Sequence, residues 1–255
     1  MIPSSEEQQR ANRIANERAF HNDRFTEEVR DAQGKYYAAI KHGSRKFEHR
    51  VLELARARDV LEYGCGGAIQ GLAVARAARS LTGIDISDVA IADAARAAQQ
   101  AGLTNTHYLT MDAEDMTFEP GSFDLIFGRG IVHHLDLERC FRSLARTLRP
   151  GGTALFWEPL GHNQLLNGYR NRTPEARTPD EHPLLRSDFD LARRHFDVSL
   201  RFFGLTTILS VPIRDTKIGD AILGVTAMVD DLLFRTPLRW QAWYCMIEMV
   251  KKTDA

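Results

Sequence analysis

The residues best suited to chemistry lie in a glycine-rich turn, residues 64–67, after a short apolar run at 59–63. Glycine leaves no Cβ in the way of a ligand that approaches the backbone. Glu62 stands two positions before the first glycine, and a carboxylate there suits a positively charged ligand better than a pyrophosphate. Ile69 occupies the place of the third glycine of a dinucleotide fingerprint, and no lysine follows the glycines. The turn therefore matches neither that fingerprint nor a P-loop.

Two further acidic positions follow the next two apolar runs. Asp85, with Ile86 beside it, ends the second run, where an acidic side chain accepts both hydroxyls of a ribose. Asp112 and Ala113 follow the third run, where an adenine would lie. Each acid by itself could be a solvated loop residue. In this order and spacing, they outline a nucleoside-shaped site across the strand ends.

The elements that must position these residues alternate between strand and helix patterns from residue 59 to residue 158. That alternation predicts an α/β fold with a parallel sheet covered on both faces. A helix is predicted from 68 to 79, directly after the glycine turn. Ser87 is the predicted N-cap of the following helix, because a serine side chain can accept a hydrogen bond from the first turn.

The N-terminal 50 residues are predicted to form a helical cap. A weakly amphipathic helix is expected over residues 4–31, resting on something larger. Further helices are expected at 35–40 and 47–57, separated by a break around residues 42–44. The domain that carries the site is then expected to span the rest of the chain, residues 51–255.

The alternation stops after the fifth strand pattern. Residues 159–190 are rich in Pro, Asn, Arg and His and predict an inserted segment, read as a lid or as a solvated linker. A strand is expected over 198–203, a helix over 218–235 and a last strand over 243–250.

Composition limits the class of function. Lys and Arg number 33 and Asp and Glu 34, which gives a net charge of −1, whereas a nucleic-acid-binding protein usually carries a basic excess. No run of 18 apolar residues occurs, and the first residues lack the order of a secretory signal. Three widely spaced cysteines give no disulfide framework and no metal-ligand spacing. We therefore expect a cytoplasmic protein without nucleic-acid or membrane partners and without a metal.

Taken together, these motifs resemble the class I S-adenosylmethionine (SAM) dependent methyltransferases of small molecules. The family pattern is an acidic residue followed by three glycines at alternate positions. Glu62, Gly64 and Gly66 match it, whereas Ala68 departs from it. Asp85 matches the family's ribose-binding acid, and the segments 123–126 and 148–152 resemble its fourth strand and the turn before its fifth.

The resemblance implies a Rossmann-like, doubly wound, seven-stranded, mostly parallel sheet whose last strand is antiparallel and lies between the fifth and sixth. It implies SAM as co-substrate and a small-molecule acceptor, and it leaves a homo-oligomer open. Arg129 could reach the methionine carboxylate, and Tyr37 could close over the sulfonium by a cation–π contact. The cofactor-binding residues implied are Glu62, Gly64, Cys65, Gly66, Asp85, Ile86, Asp112, Ala113, Arg129 and Tyr37.

Polar residues just beyond the fourth and fifth strands are the candidates for the acceptor side. Ligands of open parallel sheets bind beyond the carboxyl ends of the strands. His133 follows the fourth strand, and Glu158, His162 and Asn163 lie at the end of the fifth. We name Glu158, His162 and His133 as candidate catalytic residues. The structural alternative is that the histidine pair 133–134 only packs and caps the next helix.

Three other functions stay open at this stage. The same fold could consume SAM without methylation, in an intramolecular or lyase reaction that releases methylthioadenosine. It could bind SAM without catalysis, although the cofactor motifs are intact. A methylase of macromolecules is disfavoured by the balanced charge.

Overall fold

The computed structural model describes residues 5–26, 40–170, 181–208 and 216–253. Within these ranges seven strands form one sheet. The strands are β1 (Asp59–Tyr63), β2 (Ser80–Asp85), β3 (Thr106–Thr110), β4 (Phe123–Arg129), β5 (Leu148–Pro159), β6 (Phe196–Phe203) and β7 (Tyr244–Lys251). The α-helices are α1 (Ser5–Thr26), α2 (Lys41–Ala55), α3 (Gly71–Ala75), α4 (Asp88–Gln100), α5 (Leu137–Thr147), α6 (Gln164–Arg170), α7 (Asp188–Ala192) and α8 (Lys217–Leu233).

The strand order is β3-β2-β1-β4-β5-β7-β6. β1 to β5 pair in parallel, and β7 lies antiparallel between β5 and β6. The predicted fold class, a doubly wound sheet with its last strand antiparallel, is thereby confirmed. The chain reverses its direction across the sheet between β1 and β4, and ligands of open α/β sheets bind at such a switch point.

The sheet is buried on both faces because helices cover it on both sides. One hydrophobic cluster contains Leu61, Ile126 and Phe156 together with helix α5. The other contains Val60 and Leu125 on the opposite side of the same strands. Near-continuous apolar runs, rather than alternating ones, are the sequence sign of such strands, and β1 and β4 carry them.

The predicted break at residues 42–44 is wrong, because α2 runs without interruption from Lys41 to Ala55. Gly43 lies inside it, and a Cβ at that position would come within 2.5 Å of Phe203 and Trp157. The glycine is there to let two aromatic rings pack against the helix. Phe47 and Ala55 belong to the same core cluster as β1, so the predicted domain boundary at residue 50 falls within a helix that packs on the sheet. We propose that the cap ends before α2.

The helix predicted over residues 68–79 is also shorter than expected. Only Gly71–Ala75 is α-helical, and Ala68 has a φ of 56°, in the left-handed region that an α-helix excludes. The amide of Ala68 donates to the carbonyl of Cys65, which closes a tight turn. The alanine-rich sequence favours a helix, but residues 68–70 belong to the turn, so the helix begins only at Gly71.

The other predicted elements agree with the structure to within a few residues where they can be compared. The N-terminal helix is present as α1, and the Ser87 side chain accepts a hydrogen bond from the amide of Ala90, as the N-cap prediction requires. Residues 27–39, part of two predicted helices, lie outside the described residues, as do residues 171–180 of the insertion. The lid function of that insertion stays a prediction.

Candidate active site

The glycine turn and Asp85 form one hydrogen-bonded unit at the carboxyl ends of β1 and β2. Gly64 and Gly66 have φ values of 72° and 47°, which favour glycine. A Cβ on Gly64 would lie 2.3 Å from Ile131 Cδ1, so the turn can pass close to this side chain only without one. The Asp85 carboxylate accepts from the amides of Gly66 and Ser87, each at 2.9 Å. The acid therefore orients the turn and the start of α4 together.

A cavity of about 190 Å³ opens directly above this unit. Residues from the ends of four neighbouring strands line it, which is where the sequence placed the cofactor. Seven of the ten predicted cofactor-binding residues are in its wall: Gly64, Gly66, Asp85, Ile86, Asp112, Ala113 and Arg129. The wall combines carboxylates at the ends of β2 and β3 with a bare glycine backbone and the apolar side chain of Ile86. These groups fit the ribose, methionine and adenine parts of SAM.

The other three predicted cofactor residues are not in the described wall. Glu62 is buried behind the turn, and burial raises its pKa to about 8 although the amide of Gly71 donates a hydrogen bond to it. Cys65 is buried as well, and burial raises the pKa of its thiol, with Glu62 and Asp85 nearby adding to the shift. Tyr37 lies outside the described residues. The cofactor roles of these three residues stay predictions.

Helix α1, part of the predicted N-terminal cap, forms the roof of the cavity, but the sequence did not predict which of its residues reach the site. Its residues Arg13, Ile14 and Glu17 line the cavity directly. Arg10 forms an ion pair with Asp112, and Arg13 pairs with Glu114 at 2.5 Å. The i, i+3, i+7 spacing of Arg10, Arg13 and Glu17 was the one available signal, since it places three charges on one face of the helix.

Further contacts hold α1 over the strand ends along its length. Arg13 Nη1 donates to the carbonyl of His134 at 3.0 Å, and Arg18 Nε donates to the carbonyl of Ile86 at 3.1 Å. Asn22 Nδ2 donates to Asp88 at 3.2 Å, at the start of α4. The helix is thus bonded to segments that follow β2, β3 and β4, all at one edge of the cavity.

Arg129 reaches the cavity from the end of β4 and is held from the other side by α2. Its guanidinium donates to Ser44 Oγ at 2.9 Å and to Glu48 Oε1 at 3.0 Å. It also lies over the ring of Phe47, 5.3 Å from the ring centroid. These contacts fix the position of the one predicted cationic residue of the cofactor site.

The predicted acceptor-side residues fall into two groups. Glu158 and His133 contact each other outside the described cavity wall, with Glu158 Oε2 2.7 Å from His133 Nδ1. The fully buried Glu158 carboxylate also accepts from the amides of Ile131 and Val132 at 3.0 and 3.1 Å. Burial alone would lower the pKa of His133, but Glu158 and Glu181 raise it to about 9. This pair holds the segment after β4 in place.

His162 and Asn163 point elsewhere. His162 Nε2 accepts from the amide of Arg186 at 2.9 Å, and its ring lies edge-on to Trp240. Asn163 donates to the carbonyl of Gln241 at 2.8 Å and accepts from amides at the start of α6. Neither residue, nor Glu158 or His133, is in the described cavity wall. Their catalytic assignment stays a prediction.

His134, rather than its neighbour, lines the cavity. Its ring is stacked at a tilt on His133, with centroids 4.2 Å apart, and its Nδ1 lies 3.7 Å from the Glu17 carboxylate. Burial lowers the pKa of His134, and the adjacent His133 contributes in the same direction. Two successive histidines in a sequence carry no sign of which one faces a site. The 3₁₀ turn Val132–His134 decides it.

Within the described ranges, no group of three or more His, Cys, Asp or Glu residues is arranged to hold a metal ion. No helix in the same ranges is both long and apolar enough to cross a bilayer.

Known proteins are similar to the part of the chain that forms this site. Residues 61–156 match the family model of a methyltransferase domain. The chain is 32% identical over 109 residues to the ubiquinone biosynthesis O-methyltransferase of Coxiella burnetii, a match that covers 42% of this chain and 46% of the relative. It is 30% identical over 163 residues to the sterol 24-C-methyltransferase of Aspergillus fumigatus, covering 62% of this chain and 40% of the relative. Each match thus spans less than half of the relative.

The fold is similar to that of geranyl diphosphate C-methyltransferase from Streptomyces coelicolor, solved with Mg²⁺, geranyl diphosphate and S-adenosyl-L-homocysteine. The TM-score is 0.61 at 13% identity, over 83% of this chain and 81% of that one. At this identity the likeness concerns the fold.

Proposed function

We propose that this chain, whose residues 61–156 match the model of a methyltransferase domain, is a class I SAM-dependent methyltransferase that transfers the methyl group of SAM to a small-molecule acceptor. The observation that carries the proposal is the cavity at the switch point of the sheet. Its wall combines a glycine turn with acids at the ends of two adjacent strands, Asp85 and Asp112. This combination suits a nucleoside that bears an extended, positively charged side chain.

In this proposal Asp85 accepts hydrogen bonds from the ribose hydroxyls, and Asp112 with Ala113 lies against the adenine. Gly64 and Gly66 let the methionine part approach the backbone, because no Cβ intervenes. Arg10 of helix α1 forms an ion pair with Asp112 and so holds the Asp112 carboxylate in position. Arg129, held by α2, is the residue available to the methionine carboxylate.

SAM, when bound, supplies a methyl group that is already electrophilic. The protein's task is therefore to position the acceptor and to exclude water. Helix α1 supports both, since it covers the cavity and is bonded to the segments that follow β2, β3 and β4. Glu158 and His133 act as positioning residues that hold the segment 131–134 at the cavity edge. A general base is needed in addition only when the methyl acceptor arrives protonated.

A small-molecule acceptor is supported by the similar proteins. The names of the similar proteins refer to ubiquinone biosynthesis, a sterol and geranyl diphosphate, which are small molecules. We also propose that the enzyme is cytoplasmic and has no nucleic-acid partner, and the near-neutral charge supports the second point.

Product analysis tests the proposal. The purified protein is incubated with SAM alone and with sets of phenolic, amine and isoprenoid acceptors, and the thioether product is identified by mass spectrometry. S-adenosylhomocysteine formed together with a methylated acceptor is the expected result. Methylthioadenosine formed without any acceptor would instead indicate the lyase or intramolecular reaction. The Asp85→Ala variant serves as the control for adventitious turnover.

A further inference from the structure

Helix α8 exposes a row of apolar side chains along one face. Ile218, Val225, Met228 and Leu232 are each between 62% and 74% exposed, and Val229 is 42% exposed. Residues spaced by three and four positions lie on the same face of a helix. The α8 stripe, as we call this face, consists of Ile218, Ala221, Ile222, Val225, Met228, Val229 and Leu232. Large apolar patches on a protein surface mark interaction sites.

The opposite side of α8 is bonded to the loop after β6. Asp230 lies five positions after Val225, which is about 140° around the helix. Its buried carboxylate accepts from the amides of Leu205 and Thr206 at 2.9 and 2.6 Å. The hydroxyl of Thr206 donates to the same carboxylate at 2.7 Å. These bonds orient the helix, so the α8 stripe faces away from the body of the domain.

Spacing and charge favour a second helix over a lipid surface as the partner of the stripe. Apolar residues that alternate at three and four positions form the seam along which two helices pack. Helices that lie on a membrane carry lysine and arginine on their polar face. The sequence of α8 instead has three aspartates, at positions 220, 230 and 231, and the single lysine Lys217.

The α8 stripe is also complementary to itself. Its residues stand three, four and seven positions to either side of Val225. A second copy of the helix, antiparallel and related by a two-fold axis beside Val225, therefore presents apolar residues to apolar residues along the whole length. The pairs in this register are Ile218 with Leu232, Ala221 with Val229, Ile222 with Met228, and Val225 with itself.

Area and charge are consistent with this arrangement. The stripe exposes roughly 500 Å² per chain, at about 100 Å² for each large apolar side chain. Two copies in contact would remove about 1,000 Å² from water, which is near the lower limit for a specific interface. The same register brings position 217 of one copy, a lysine, within one helical turn of position 231 of the other, an aspartate.

We propose that α8 forms the interface of a symmetric dimer of this chain, in which the two α8 helices pack antiparallel about an axis at Val225. The inference goes beyond the proposed function, because no residue of α8 is in the described wall of the cavity. Each copy keeps its own cavity, so we expect the affinity for SAM to be the same in the dimer and in a monomeric variant.

A charge-swap experiment at Val225 tests the interface and its register. Sedimentation velocity should show twice the mass of one chain for the wild type at micromolar concentration. Val225→Glu and Val225→Lys each place two like charges against each other at the axis, which should raise the dissociation constant of the dimer at least about a hundredfold. An equal mixture of the two variants should recover the dimer, because residue 225 of one copy meets residue 225 of the other.

Val225→Cys provides a second test that does not introduce a charge. The three native cysteines are buried, so mild oxidation should link two copies through position 225. Leu165→Glu is the matched control, since it introduces the same charge at an apolar side chain of α6 that is 87% exposed. It should remain dimeric. Circular dichroism should be unchanged in all variants.

Four results would overturn the proposal. They are a wild type with the mass of one chain, a dimer that persists in Val225→Glu, a mixture of the Glu and Lys variants that stays monomeric, and Val225→Cys that forms no disulfide-linked dimer. A monomeric wild type that binds phosphatidylcholine vesicles, and loses this binding in Val225→Glu, would assign the stripe to a membrane instead. If Val225→Glu does not fold, the Val225→Cys cross-link decides.

Discussion

At the scale of single residues, Asp85 shows how one side chain serves structure and ligand together. Its two oxygens each accept a backbone amide, one from the glycine turn and one from the start of α4. Hydrogen bonds to a charged acceptor are stronger than neutral ones, so the carboxylate is held in one orientation before a ligand arrives. Each oxygen has a further lone pair with which to accept from a hydroxyl.

Replacement of Asp85 by alanine is therefore expected to weaken SAM binding by one to two powers of ten. The physical reason is the loss of charge-assisted hydrogen bonds worth roughly 1.5–3 kcal/mol. Calorimetry on Asp85→Ala and on Asp93→Ala, an exposed acid of α4, measures the effect and its control. Unchanged affinity in a folded Asp85→Ala protein would contradict the ribose assignment.

At the scale of elements, α2 and its glycine link the N-terminal part to the far edge of the sheet. Gly43 lets Phe203 of β6 and Trp157 of β5 reach the helix backbone. Trp157 is in turn stacked on Tyr244 of β7, with ring centroids 5.3 Å apart. A helix that the local sequence marks as broken is therefore stabilised by aromatic packing from distant strands, and its Ser44 and Glu48 can hold Arg129.

Two glycine-to-alanine variants should change stability in opposite directions. In Gly43→Ala the new methyl group would clash with the rings of Trp157 and Phe203, which we expect to cost about 1–3 kcal/mol. In Gly224→Ala, within α8, the Cβ meets nothing within 4 Å, so the higher helix propensity of alanine should add about 0.5–1 kcal/mol. Urea denaturation measures both. Stabilisation by Gly43→Ala would mean that the rings do not pack as described.

At the scale of the whole molecule, the segment after β4 joins parts of the chain that are far apart in sequence. His133 contacts Glu158 at the end of β5 and lies 3.5 Å from Glu181, which lies in the insertion. The backbone carbonyl of His133 accepts from the amide of His182 at 2.7 Å. The neighbouring His134 contacts α1. Roof, sheet and insertion therefore meet at two adjacent histidines.

The pKa of His133 makes a prediction about global stability. The pKa is about 9 in the folded protein, against 6.5 for a free imidazole, so the stabilisation is complete below pH 6.5 and is lost as the pH rises through 9. We expect a loss of roughly 1–3 kcal/mol in the free energy of unfolding across this window. Urea denaturation from pH 6 to 10 measures it.

His133→Gln should be less stable at pH 6 and should show a smaller fall toward pH 10. Buried tyrosine and cysteine groups also titrate at high pH, and the difference between wild type and variant removes their contribution. His49→Gln, an exposed position on α2, is the control and should keep the slope of the wild type. An equal slope in His133→Gln would show that the histidine is not charged in the folded protein.

The sequence by itself determined the alternation of elements, the place of the last strand through the family resemblance, and seven residues of the cavity wall. These features are local: the glycine turn and Asp85 each lie at a strand end, and parallel strands bring their carboxyl ends to one edge of the sheet. Only the tertiary structure decided which groups face the cavity. Glu17 lines it from a helix more than 100 residues from His134 in the chain, whereas Glu62 is buried and is not in the described wall. Such contacts depend on how helices dock on the sheet, and no local pattern encodes that docking.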